Sequence, residues 1–196
     1  MTRLIATPLN QELRVAQIGR IPESFASHFG PASATLDQAD AAIFAFSSRT
    51  GLTEEGIALW QEARELYIPS LILITELSDG EIDFDDMAAI AGKTLDPVVT
   101  PYLVLHGDGG EPAALIDLDT LKIINYHNGE RVMGESDPEH KLLVFEFRKE
   151  YLEAIEAAGE AAFENGLLYP ALPYYPAIGL GIAETIEYLN RVPILR

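Results

Sequence analysis

Residues 41–46 read AAIFAF, an apolar run with no polar interruption. A run that short fits a strand covered on both faces, as in a parallel sheet. Residues 71–75, LILIT, repeat the signature. Between the two, Thr53 stands as a cap before a helix over 54–66, with Ile57, Trp60, Ala63 and Tyr67 at helical spacing. Ile68-Pro69 closes that helix. Upstream, 14–18 is a short strand ending at Gly19, and 22–30 a short helix stopped by Gly30-Pro31. Downstream, 84–91 reads as a helix stopped by Gly92, and 100–105 as a third apolar strand. Strand alternating with helix predicts an α/β domain with a doubly wound, mostly parallel sheet.

The pattern then changes. Residues 113–118 and 121–126 are strand-like and separated by Asp119-Thr120, which predicts a β-hairpin. Residues 126–140 are polar, with Gly129, Gly134 and Pro138, and read as a loop. One long helix is expected over 142–165. Its apolar face includes Phe145, Leu152, Ile155, Ala162 and Phe163; its other face carries Glu146, Glu150, Glu153, Glu156, Glu160 and Glu164. Gly166 ends it, 167–171 returns a strand to the sheet, 173–176 forms a rigid aromatic loop, and 182–189 is the closing helix. The expected organisation is one domain over 1–196 with a small α+β insert at 111–165.

The chain carries 31 acidic and 13 basic residues, a net charge of −18. Such a field repels phosphate backbones, which argues against direct nucleic-acid contact and for a protein partner with a basic surface. There is no Cys, so thiol catalysis and Cys-ligated metals are excluded. No apolar run reaches membrane-spanning length, and the start lacks a signal-peptide pattern, so no membrane association and a cytoplasmic location are expected. His28, His106, His127 and His140 show no metal-ligand spacing. The segment 79–86 imitates half of a calcium loop, but Leu77 stands at a ligand position, so an acidic helix start is the better reading. No metal and no cofactor are expected.

The stretch from Asp40 to Ser47, followed by Gly51, Leu59-Trp60, Ile68-Pro69 and the apolar strand at 71–74, resembles the GTPase domain of translation elongation factor G. There a D-G-A-V-V-V-V strand leads to a helix carrying L-W, then I-P and a strand ending in N-K-M-D. The family's A-D-F-D has its likeness in Ile82-Asp83-Phe84-Asp85, and its V-I-D-L…M-K-A-I in Leu115-Ile116-Asp117-Leu118 and in 121–126. The resemblance implies a P-loop NTPase fold of G-domain type with the family's insert. It also implies a candidate partner, because that insert contacts the basic domain of a ribosomal stalk protein. Glu146, Glu150, Glu153, Glu156 and Glu160 form the matching partner surface here.

The family's nucleotide chemistry finds no match in these residues. A phosphate loop G-x-x-x-x-G-K-S/T is missing, and the chain begins after the place of the first switch. Where D-x-P-G-H belongs, the sequence reads Gly19, Arg20, Ile21, Pro22 and Glu23. N-K-M-D aligns with Thr75, Glu76, Leu77 and Ser78, with Asp79 adjacent, and the final S-A motif falls at Ala171-Leu172. Losing one bidentate carboxylate costs about 2–3 kcal/mol of binding. A pseudo-GTPase serving as an interaction module is therefore the expectation. One alternative is a small-molecule enzyme or binder reusing the cleft through Ser47, Ser48, Thr75, Asp79 and Tyr174. Another is residual weak GTP binding. The loss of the family's central strand calls for a repair, either with 14–18 in its place in a monomer or by sheet pairing in a homodimer.

Overall fold

The computed structural model describes residues 2–32, 34–77, 82–127 and 130–194. The chain runs β1 (Thr2–Leu4), β2 (Val15–Gly19), α1 (Phe25–Phe29), a 3-10 turn (Leu36–Gln38), β3 (Ala41–Ser47), α2 (Glu54–Glu65), β4 (Ser70–Thr75) and α3 (Phe84–Thr94). It continues through β5 (Val98–Val99), β6 (Tyr102–His106), β7 (Pro112–Asp117), β8 (Lys122–His127) and β9 (Glu130–Glu135). It ends with α4 (Pro138–Leu143), α5 (Phe145–Ala158), β10 (Tyr169–Pro173) and α6 (Ile182–Leu189).

Two five-stranded sheets result. One has the order β2-β3-β4-β10-β5 and the other β1-β9-β8-β7-β6. Every pairing in the first is parallel; every pairing in the second is antiparallel. The expectation of a doubly wound, P-loop GTPase sheet with a small insert is thereby corrected. The antiparallel sheet matches the parallel one in strand number, and it draws in β1 from the chain start and β6 from before residue 111.

The apolar runs explain the parallel sheet. In β3, Ala41, Ile43 and Ala45 face one core cluster while Ala42, Phe44 and Phe46 face the other; in β4, Leu71 and Leu73 oppose Ile72 and Ile74. Both faces are dry, so period-two alternation is invisible in the sequence. Trp60 of α2 and Phe84, Met87 and Ala91 of α3 join the cluster on one face, and Phe25 and Phe29 of α1 with Ile186 and Leu189 of α6 join the cluster on the other. Strand β2 lies at the edge, paired directly with β3. At its start the Arg14 guanidinium donates to both carboxylate oxygens of buried Asp40, at 2.7 and 3.0 Å. The sheet is continuous from β2 to β5, with β2 at its edge and not at its centre.

Four local expectations are also corrected. Residues 102–106 form a strand apolar on both faces, but an antiparallel one: Val104 faces the main core and Leu103 the outer cluster with Val144 and Tyr151. The 126–140 loop contains β9, whose mixed polar composition hides a strand with Met133 packed on the core and Arg131 buried. Helix α3 passes through Gly92 to Thr94. The long helix of 142–165 is broken at Val144 and at Gly159, whose φ is 85°, and 160–166 is a series of turns. Phe145, placed on the apolar face by periodicity, is 60% exposed.

Asp83 caps α3, accepting from the Asp86 N–H at 2.9 Å. Asp85 next to it has a buried oxygen, Oδ1, without a hydrogen-bond partner. Burial, then the charges of Asp83 and Asp86, push its pKa up to about 6. The folded state therefore holds a proton that the unfolded state releases, so stability falls as pH rises from about 4 to about 6. Asp85→Asn is expected to raise stability at pH 7 by on the order of 1 kcal/mol and to flatten that fall. Urea denaturation at pH 4 and pH 7 measures it; equal gains at both would contradict the assignment.

Candidate functional site

The carboxyl ends of β2, β3, β4 and β10 converge on one edge, where open parallel sheets place ligands. Gly19 leaves β2 with φ 92°, and a Cβ there would lie 2.4 Å from the Ala45 carbonyl oxygen. This close approach needs glycine. The next N–H, of Arg20, donates to the same Ala45 oxygen at 3.2 Å. The Arg20 guanidinium then stands 3.5 Å from Glu76 Oε1.

Glu76 is the centre of the edge. Its backbone is left-handed, φ 60°, directly after β4. Ser47 Oγ, at the end of β3, donates to Glu76 Oε2. Ser48 Oγ donates to the Glu76 carbonyl at 2.8 Å, and the Ser48 N–H to the Thr75 carbonyl at 3.0 Å. Ser47 Oγ also accepts from the N–H groups of Arg49 and Thr50, at 3.1 and 3.3 Å. A carboxylate thus lies across the ends of three adjacent strands, held by a hydroxyl and faced by a guanidinium. The serine bond, being charge-assisted, carries about 1.5–3 kcal/mol, and the exposed arginine pair under about 1 kcal/mol.

Thr75 is buried, its hydroxyl donating to the Phe46 carbonyl at 3.3 Å. Tyr174 packs its ring 4.8 Å from Phe25, while its hydroxyl meets Ser24 Oγ at 2.7 Å and His28 Nδ1 at 2.8 Å. Burial raises the Tyr174 pKa and lowers that of His28. Tyr174 is a core residue with an anchored hydroxyl. The cleft left between Pro22, Thr75, Glu76, Tyr174 and Tyr175 measures about 250 Å³. Small-molecule sites usually enclose about 300–1,000 Å³.

The structure gathers Gly19, Arg20, Pro22, Thr75 and Glu76 at this edge, with Glu23 exposed just beyond. Ala171 and Leu172 do not join them. They sit inside β10, fully buried and paired with Ile72 and Leu73. Ser78 and Asp79 lie outside the described residues. Gly92-Lys93-Thr94, a partial phosphate-loop sequence that motif reading passed over, ends α3, where the Thr94 hydroxyl donates to the Ile90 carbonyl at 2.9 Å. Backbone N–H groups inside a helix are already bonded and do not wrap an anion. Among the described residues no cluster of three or more His, Asp or Glu gathers for a metal, and no helix is long and apolar enough to cross a membrane.

The acidic surface lies elsewhere. Glu146, Glu150, Glu153 and Glu156 are exposed along α5, and Glu160 is exposed beyond its end. Sequence periodicity missed the exposed apolar residues beside them: Leu142, Phe145 and Phe147 are 80%, 60% and 46% exposed.

Fold and edge define an α/β chain with a ligand-type strand edge occupied by its own side chains. No family model matches the chain. It is similar to an elongation factor G-like protein of Mycobacterium tuberculosis (strain CDC 1551 / Oshkosh), 25% identical over 191 residues that cover 85% of this chain and 26% of that protein. The counterpart in strain ATCC 25618 / H37Rv matches equally. A crystal structure from Thermus thermophilus superposes with a TM-score of 0.69 at 29% identity, covering 81% of this chain and 27% of that one. The chain is a relative of elongation-factor-G domains, and it spans about a quarter of the length of these proteins.

Proposed function

We propose that this chain is a translation-factor relative that neither binds nor hydrolyses GTP and acts as a protein-interaction module. The observation that carries the reading is Glu76. Its carboxylate, bonded to Ser47 and facing Arg20, fills the strand-end edge with negative charge. A phosphate brought there meets like charge in a partly desolvated setting, which costs binding rather than supplying it. The cleft beside Glu76, about 250 Å³, is smaller than small-molecule sites usually are.

The contact surface in this reading is α5, where exposed glutamates flank exposed Phe145 and Phe147. Aromatic side chains inside a charged rim are the composition of an interface, and the net charge of −18 selects a basic partner. The resemblance to elongation factor G makes a ribosomal stalk protein the first candidate, with the cytoplasm as the place of action. Phosphate release from GTP and Mg²⁺ is expected to proceed at the rate of buffer alone. Release that grows in proportion to protein concentration would contradict the non-catalytic reading.

A further inference from the structure

The loops that lead into β4, β5 and β10 meet at the opposite end of the parallel sheet from Glu76. There Tyr67 follows α2 with φ 55°. This left-handed position after a helix is ordinarily taken by glycine. Two hydrogen bonds lock it: the Tyr67 N–H donates to the Arg64 carbonyl at 3.0 Å, and the Ile68 N–H to the Ala63 carbonyl at 2.9 Å. The strained residue is a large aromatic, and it is 64% exposed. Strain of this kind collects at functional positions.

Gly166 packs on the Tyr67 backbone so closely that a Cβ would lie 2.4 Å from the Tyr67 carbonyl oxygen. Leu167, 56% exposed, follows Gly166 directly and lines one groove with Tyr67. Tyr67 and Leu167 form an exposed apolar ridge on this groove of about 650 Å³, which Tyr169 and Asp96 also line. The charge around the ridge has one sign to offer. Arg64 is already committed to Asp96 at 2.8 Å. Glu62 and Glu65 are exposed on α2, and no cation among the described residues pairs with either.

We infer that this ridge docks a basic amphipathic protein segment. Its apolar side chains seat on Tyr67 and Leu167, and its Lys or Arg side chains lie against Glu65 in the groove, with Glu62 one helical turn back on α2. This face is separate from α5 and from the strand-end edge, so it stands whether or not the proposed function does. The chain also carries its own reporter. Trp60 is the single tryptophan. Its indole N–H donates to Asp96 Oδ2 at 3.0 Å, and its ring lies edge-on to Tyr169 at 4.9 Å.

The test is a titration of the full chain with a fluorescein-labelled peptide of alternating leucine and lysine, followed by anisotropy and by Trp60 emission. Saturable binding with a parallel change in Trp60 emission is expected. Tyr67→Gly suits the backbone, so its thermal midpoint is expected to equal or exceed that of the parent, while affinity drops about tenfold. The pair Glu153→Gln and Glu156→Gln on α5 is expected to keep affinity within about twofold, since diffuse charge is screened at physiological salt. The proposal is overturned by no saturable binding, by binding that leaves Trp60 emission unchanged, by a Tyr67→Gly chain that binds like the parent, or by an α5 variant weakened as much as Tyr67→Gly.

Discussion

Glu184→Ala is expected to lower the stability of the folded chain by about 3–5 kcal/mol. Glu184 lies in the first turn of α6 and is fully buried. One carboxylate oxygen accepts from the Tyr126 hydroxyl at 2.8 Å and from Arg131 Nη1 at 2.9 Å; the other accepts from the Gly181 N–H at 3.1 Å. Tyr126 belongs to β8 and Arg131 to β9, whereas α6 covers the parallel sheet. The residue therefore joins the two sheets through one buried point. Removing it strands Arg131, 5% exposed, with only the partly exposed Glu187 at 2.6 Å, and leaves the Tyr126 hydroxyl unpaired. It also uncaps α6, whose N-terminus begins at Gly181 with φ 85°. Burial and the Glu184 charge already push the Tyr126 pKa far up, so its hydroxyl stays neutral and requires an acceptor. Tyr126→Phe removes a donor and leaves the carboxylate its other partners, so a loss of about 1 kcal/mol is expected. Urea denaturation of the two variants gives both numbers. A Glu184→Ala loss no larger than that of Tyr126→Phe would show that the joint carries little.

Much of the parallel sheet was legible because its strands are apolar on both faces and bounded by a cap at Thr53 and a stop at Ile68-Pro69. The antiparallel sheet was not. Strand β9 reads ERVMGE, and its burial comes from Met133 and from an arginine neutralised by Glu184 and Glu187, partners more than fifty positions away. No local pattern announces a buried ion pair of that span. The break at Gly159 was masked by glutamates that keep helical spacing through it. At the candidate site, alignment to the family's motifs brought Gly19, Arg20, Thr75 and Glu76 to one place. It could not foresee that Glu76 would turn back on Ser47, because that depends on a left-handed backbone at a non-glycine residue. Ala171 and Leu172 fell short of the edge because β10 runs on to Pro173, and Tyr174 is then drawn into the core by Phe25 and Phe29.

The other large effect expected is on nucleotide binding, and it is an absence. A phosphate at the strand ends would have to displace the Ser47–Glu76 bond and leave the carboxylate facing an anion. Of the two arginines at that edge, Arg20 is already turned toward Glu76, and Arg49 follows β3 with its backbone N–H on Ser47 Oγ. The segment Gly92-Lys93-Thr94 offers no substitute, being helical. Isothermal calorimetry of the full chain against GDP and GTP with Mg²⁺ tests this most directly. The expected result is heat of dilution alone with nucleotide near 1 mM, which bounds any binding free energy at about −4 kcal/mol or weaker. A saturable heat with a Kd of about 10 μM or tighter would mean that Glu76 gives way to the ligand, and that the strand-end edge is a working nucleotide site.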